Sequence, residues 1–329
     1  MTDVPDPQRS RAVLVGVSRY PKMSEARQLP AVEASVLELA KLLCDKAIWG
    51  LPPENCVVLQ NSADADTVVQ AIRSAASTAT DALVFYYAGH GLSDPVMDDG
   101  LGLALSSSYE PGGTHTALRY EHVRREFLVQ ARAARRLVLL DCCWSGLAIP
   151  GAMGGEDGAV ASAVAIEGTA VLTACAATRK ALSPPGEPYT AFTGALIDVL
   201  ADGIPDAGPT LTVQSIFTAL QQRLSKRSRP LPQLASHGAG AEMTVSRNHG
   251  WRRPADATPP TQSAEVPATP VRSAAAARAR IRALTRAGAY DEAFAERLTA
   301  SRPANEELLP DLIAYLRRTG RYREAAELE

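Results

Sequence analysis

Up to residue 248, short apolar runs alternate with longer amphipathic stretches. The runs 13–17, 56–59, 83–87, 137–140 and 169–173 have the length and apolar content of buried strands. Between them, 31–44 carries apolar residues at Val32, Val36, Leu39, Leu42 and Leu43, which is helical spacing. The stretch 65–79 reads as a helix with Asp64 as its N-cap, and 119–132, 192–201 and 212–225 read as further helices. This alternation predicts an α/β fold with a mostly parallel central sheet covered on both faces. Ligand sites on such sheets lie beyond the carboxyl ends of the strands. The loop-rich stretches 93–116, 147–168 and 183–188 either read substrate there or are plain long connections.

The pattern changes after residue 248. Residues 249–273 are rich in Pro, Ala, Thr and Ser and read as a semi-extended linker. Residues 274–329 turn helical. Gly288-Ala289-Tyr290-Asp291-Glu292-Ala293 recurs as Gly320-Arg321-Tyr322-Arg323-Glu324-Ala325, a shift of 32 residues. That period suits tetratricopeptide-like helical hairpins, which repeat about every 34 residues; a plain helical hairpin is the other reading. The expected organisation is therefore an α/β domain over 10–248, a linker, and a small all-α segment that is an incomplete array or continues past Glu329.

Composition narrows the classes. The chain has 329 residues, 46% hydrophobic and 21% charged, with a net charge of −2. That balance gives no reason to expect nucleic acid or an anionic membrane surface as partner. No apolar stretch is long enough to span a bilayer, and residues 1–11 lack the apolar core of a signal peptide. A cytoplasmic protein is expected. The five cysteines, Cys44, Cys56, Cys142, Cys143 and Cys175, are odd in number and widely spaced, which argues against a disulfide framework and a structural zinc site.

Two strand ends carry candidate chemistry. The run 81–87 leads into Ala88-Gly89-His90-Gly91, and 137–140 leads into Asp141-Cys142-Cys143-Trp144-Ser145-Gly146. A histidine at one strand end and a cysteine at another is what a thiol protease needs: a general base or acid and a nucleophile. Gly89 and Gly91 allow a sharp turn and a close approach of substrate. Strand alternation puts Leu139, Asp141 and Cys143 on one side, with Leu140 and Cys142 on the other. Cys143 is the expected nucleophile and Cys142 a buried thiol, the reverse assignment being the competing one. An esterase built on Ser145 is disfavoured, because Trp144-Ser145-Gly146 lacks the Gly-x-Ser-x-Gly elbow. His115, His122, His237 and His249 read as surface residues.

These motifs resemble the caspase/metacaspase family of cysteine peptidases, and its bacterial members more closely. The resemblance runs through Ala12-Val13-Leu14-Val15-Gly16-Val17 with Tyr20, Leu29-Pro30-Ala31-Val32-Glu33, Gly89-His90-Gly91, Asp141-Cys142-Cys143, Thr173-Ala174-Cys175-Ala176 and Ala191-Phe192-Thr193-Gly194-Ala195-Leu196. Cys143 follows His90 by 53 residues, close to the separation in caspases. The resemblance implies a caspase-like three-layer α/β/α sandwich and an endopeptidase with a Cys143–His90 dyad. It also implies an oxyanion site from the backbone N–H groups of Gly91 and Cys143, and protein or peptide substrates.

In metacaspases the residue matching Asp141 lines the pocket for a basic P1 side chain; here it either does so or stabilises its loop. A second pocket Asp of that family aligns to Ser35, a departure that weakens the basic-P1 expectation. Asp94, Asp98 and Asp99 either bind calcium, as clustered Asp residues do in several metacaspases, or are solvated; no other cofactor or metal is expected. The C-terminal helices are expected to engage a protein partner or gate the protease. A catalytically silent adaptor is the alternative.

Overall fold

The computed structural model describes residues 3–93, 100–109, 114–143, 168–174, 186–205 and 207–251, all within one compact unit, Met1–Thr258. The linker and repeat segments expected over 249–273 and 274–329 lie outside the described residues, apart from 249–251.

Six strands form the central sheet: β1 (Arg11–Gly16), β2 (Cys56–Gln60), β3 (Ala82–Ala88), β7 (Arg135–Asp141), β8 (Thr169–Thr173) and β10 (Gln233–His237). Their order is β10-β8-β7-β3-β1-β2. All neighbours are parallel except β10, which runs antiparallel to β8 at one edge. β3 is buried along its whole length, as expected for a strand covered on both faces.

Alternation sorts the side chains into two cores. Leu14, Val84, Tyr86, Leu137 and Leu139 face α1 (Pro30–Cys44), α4 (Ala191–Asp202) and α5 (Val213–Lys226). Val13, Val15, Phe85, Tyr87, Val138 and Leu140 face α2 (Ala65–Thr78) and α3 (Tyr120–Val129). The result is the α/β/α sandwich the pattern predicts. Asp64 caps α2 as expected, its carboxylate accepting from the Asp66 and Thr67 N–H groups.

Other elements lie outside the pattern read above. Within and beside the loop-rich stretch 93–116 sits a small sheet of β4 (Gly91–Leu92), β5 (Gly102–Leu103) and β6 (Leu118–Arg119). A ribbon of β9 (Thr210–Thr212) and β11 (Thr244–Arg247) closes the α1/α4/α5 side. No helix among the described residues is long and apolar enough to cross a membrane.

Candidate active site

The pairing of β3 with β7 positions the candidate chemistry. Ala88 stands opposite Asp141 in the parallel ladder. The offset between them is 53 residues, the same as between His90 and Cys143, so each lies two residues beyond a paired position. Gly89 N–H donates to the Asp141 carbonyl at 3.3 Å and carries the contact one step past the strands. Adjacent strands are about 4.8 Å apart. The histidine and the cysteine therefore leave the sheet side by side.

Gly91 makes this approach sterically specific. A Cβ built there would lie 1.9 Å from the Cys143 carbonyl oxygen and 3.4 Å from Cys142 Sγ. Only a residue without a side chain fits. Cys142 is fully buried, in the same core as Val138 and Leu140, while Cys143 is half-buried beyond the strand end. That is the alternation expected for the pair. The other described cysteines, Cys44 and Cys56, are free thiols.

His90 is held by its own backbone and by its ring. Its N–H donates to the Tyr20 hydroxyl at 2.8 Å. The Tyr87 hydroxyl lies 2.9 Å from the His90 carbonyl and 2.7 Å from that of Ala104. A Cβ on Gly89 would sit 2.6 and 2.7 Å from these two phenol oxygens. Burial pushes both tyrosine pKa values up, so both hydroxyls keep their protons. The Tyr20 ring lies against the imidazole, centroids 4.8 Å apart. His90 Nε2 lies 2.8 Å from the Arg27 carbonyl oxygen. A carbonyl can only accept, so Nε2 carries the proton and, in the neutral ring, Nδ1 is the basic nitrogen.

Asp141 ends β7 at 3% exposure. Its Oδ2 accepts from the Thr190 and Thr193 hydroxyls at 2.5 and 2.6 Å, lengths typical of hydroxyl-to-carboxylate bonds. The nearby Thr193 backbone N–H also favours the charged carboxylate. Thr190 is the N-cap of α4, yet its side chain makes no cap bond. Asp141 faces that first turn from the end of β7, where the helix dipole favours an anion. Thr193 in turn accepts from the Tyr86 hydroxyl at 2.8 Å, and Ser35 Oγ accepts from Thr190 N–H at 3.1 Å. Burial raises the Asp141 pKa; the hydroxyl and N–H interactions oppose that shift, and among the described residues no cation contributes.

The family model for the caspase domain, Peptidase_C14, matches residues 9–244. The chain belongs to the caspase-domain family. Among solved structures, this caspase-domain chain is similar to caspase-1 from Spodoptera frugiperda at 13% identity, covering 71% of this chain and 88% of that one, with a TM-score of 0.46. A protein from Geobacter sulfurreducens is similar at 16% identity, covering 71% of this chain and 96% of that one, with a TM-score of 0.47. Among curated proteins, none matches.

The caspase-domain chain thus brings together His90, Gly91, Asp141 and Cys143 at the carboxyl end of the sheet. Ser35 joins the Asp141 network through Thr190. Asp94, Asp98, Asp99, Ser145 and Cys175 lie outside the described residues, and among the described ones no cluster of His, Cys, Asp and Glu could hold a metal ion. His115, His122, His237 and His249 are exposed. The reading of the sequence missed the Arg27 carbonyl, Thr190 and Thr193. A backbone carbonyl leaves no mark in composition, and the two threonines are ordinary residues until Asp141 is seen beneath them.

Proposed function

We propose that this chain is a cysteine endopeptidase with Cys143 as nucleophile and His90 as its acid–base partner. The observation that carries the reading is the β3–β7 register together with the Gly91 contact, which sets the two strand ends against each other. With Nε2–H engaged by the Arg27 carbonyl, Nδ1 exchanges protons. It takes the Cys143 thiol proton as sulfur bonds to the scissile carbonyl carbon, and the carbonyl electron pair moves onto oxygen. The backbone N–H groups of Gly91 and Cys143 are the proposed donors to that oxyanion. Nδ1–H then protonates the leaving amine as the C–N bond breaks, leaving a thioester. Water gives its proton to Nδ1, its oxygen attacks the acyl carbon, the C–S bond breaks and the proton returns to sulfur.

Asp141 is the proposed floor of the P1 pocket, and Arg or Lys the proposed P1 residue. A buried carboxylate to which no cation among the described residues contributes is suited to a guanidinium, which pairs with it in charge-assisted fashion. Ser35 stands where metacaspases carry the second pocket Asp and supplies no acid at that position. The C-terminal 274–329 segment is the proposed docking element for a partner that targets or gates the protease.

Hydrolysis of fluorogenic peptides with Arg, Lys or Asp at P1, with and without calcium, tests this reading. Cleavage after Arg or Lys is expected in wild type and Cys142→Ala and is lost in Cys143→Ala. Cleavage only after Asp refutes the pocket while keeping the dyad. If no peptide is cut and a peptidyl thiol-reactive probe does not label Cys143, the chain acts as an adaptor.

A further inference from the structure

The loop 18–29 grips His90 from two sides, and one side chain within it ties its two gripping residues together. Tyr20, near its start, gives the hydroxyl that accepts from His90 N–H and the ring that lies against the imidazole. Arg27, near its end, gives the carbonyl that meets Nε2. The loop's ends are joined by Leu29 N–H donating to the Ser18 carbonyl at 2.9 Å. Inside it, the Gln28 carboxamide docks on the backbone of Tyr20. Gln28 Oε1 accepts from Tyr20 N–H at 2.8 Å, and Nε2 donates to the Tyr20 carbonyl at 3.1 Å and the Ser24 carbonyl at 3.2 Å.

This pattern uses one acceptor and two donors on a single planar group, which only a carboxamide offers at this length. Glutamate keeps the acceptor and loses both donors; methionine keeps the length and loses all three bonds. The carbonyl on His90 belongs to the Arg27–Gln28 peptide itself, whose N–H donates to the Glu25 carbonyl at 3.1 Å. Gln28 thus couples the two contacts on the imidazole: its backbone peptide carries one, and its side chain fixes the residue that provides the other.

We propose that Gln28 is a positioning residue, whose carboxamide closes the 18–29 loop on Tyr20 and so holds His90 in the Nε2–H tautomer with Nδ1 presented to the Cys143 strand end. Its catalytic consequence rests on the peptidase reading; its effect on the imidazole does not.

The test follows both. In protein labelled with nitrogen-15 at histidine, the His90 ring signals are those absent from His90→Gln. At a pH where the ring is neutral, wild type is expected to show a single Nε2–H tautomer and Gln28→Met a mixture of both. Gln28→Glu, which retains the acceptor but sets its second oxygen against the Tyr20 and Ser24 carbonyls, is also expected to show a mixture and serves as the readout if Gln28→Met does not fold. On a fluorogenic peptide, Gln28→Met is expected to lower kcat about tenfold with KM within about twofold, as a loss of orientation rather than of binding predicts. A wild-type tautomer ratio in a folded Gln28 variant overturns the proposal, even if the enzyme is active. If wild type hydrolyses nothing, the tautomer ratio still decides on Gln28, and only the peptidase reading fails.

Discussion

Gly91→Ala is the sharpest single perturbation of the candidate site. The new methyl would stand 1.9 Å from the Cys143 carbonyl oxygen and 2.9 Å from its carbonyl carbon. An ordinary carbon–oxygen contact is near 3.3 Å, so about 1.4 Å of separation must open between the two strand ends. Both atoms in conflict are backbone, so no rotamer change relieves it. Overpacking of this kind costs about 1–3 kcal/mol of stability, and a displacement of about 1 Å at a reacting centre costs about 100-fold in rate. The expected variant is folded, with a lowered unfolding midpoint and kcat/KM reduced by about 100-fold or more. Gly100→Ala is the control. Its Cβ meets nothing among the described residues within 4 Å, although its φ of +69° makes alanine mildly strained, so it is expected to lose some stability and no activity. The assay is the rate of covalent labelling at Cys143 by a peptidyl chloromethyl ketone, read by mass spectrometry beside thermal unfolding. Wild-type labelling by Gly91→Ala would refute the claim that the close approach sets the dyad.

The cysteines and Asp141 supply two further predictions. Burial raises the Cys44 pKa and pushes the Cys56 thiol up to about 12, so alkylation at pH 7 should spare both while modifying Cys143, and Cys142→Ala should lower the unfolding midpoint without changing that labelling; peptide mapping of the alkylated protein checks this. Burial holds the Asp141 carboxyl above its ordinary 3.8, so folding favours its protonated form. The group's contribution to stability is complete below 3.8 and is lost as pH rises through the folded value. Urea midpoints of wild type minus Asp141→Asn should therefore fall as pH is raised from 3.8 through the folded value; a flat difference contradicts the burial argument.

Much of the fold was legible because the strands are buried on both faces. Continuous runs such as 83–87 and 137–140 carry their own signal, and the helices 31–44, 65–79, 192–201 and 212–225 fall within a residue or so of those observed. The sequence extends α3 to 119–132, whereas the helix is Tyr120–Val129. β10 left no such signal: Gln233–His237 is an edge strand with no buried residue, so nothing selects an apolar run. The β4–β6 strands are two residues each, too short to show a period. At the candidate site, the placement of His90 and Cys143 and the alternation of Cys142 were readable because these residues directly follow strands. Thr190, Thr193 and the Arg27 carbonyl were not, since they meet the site across 49, 52 and 63 residues of sequence through contacts that only the folded chain makes.

The β3–β7 register has a consequence for how such a molecule changes over time. A ladder of backbone hydrogen bonds, not the length of the intervening chain, sets the distance between imidazole and thiol. Loops inside the excursion from 92 to 134 can lengthen or shorten without moving either group, provided both strands keep their pairing, Ala104 keeps its N–H on the His90 carbonyl and α3 keeps its place on the sheet. A slip of one residue would do the opposite, presenting Cys142 in place of Cys143 and turning Asp141 away from α4. On the proposed peptidase reading, loop sequences would be free to diversify on a frame whose candidate pair is fixed by strand pairing, and specificity could change without rebuilding the chemistry.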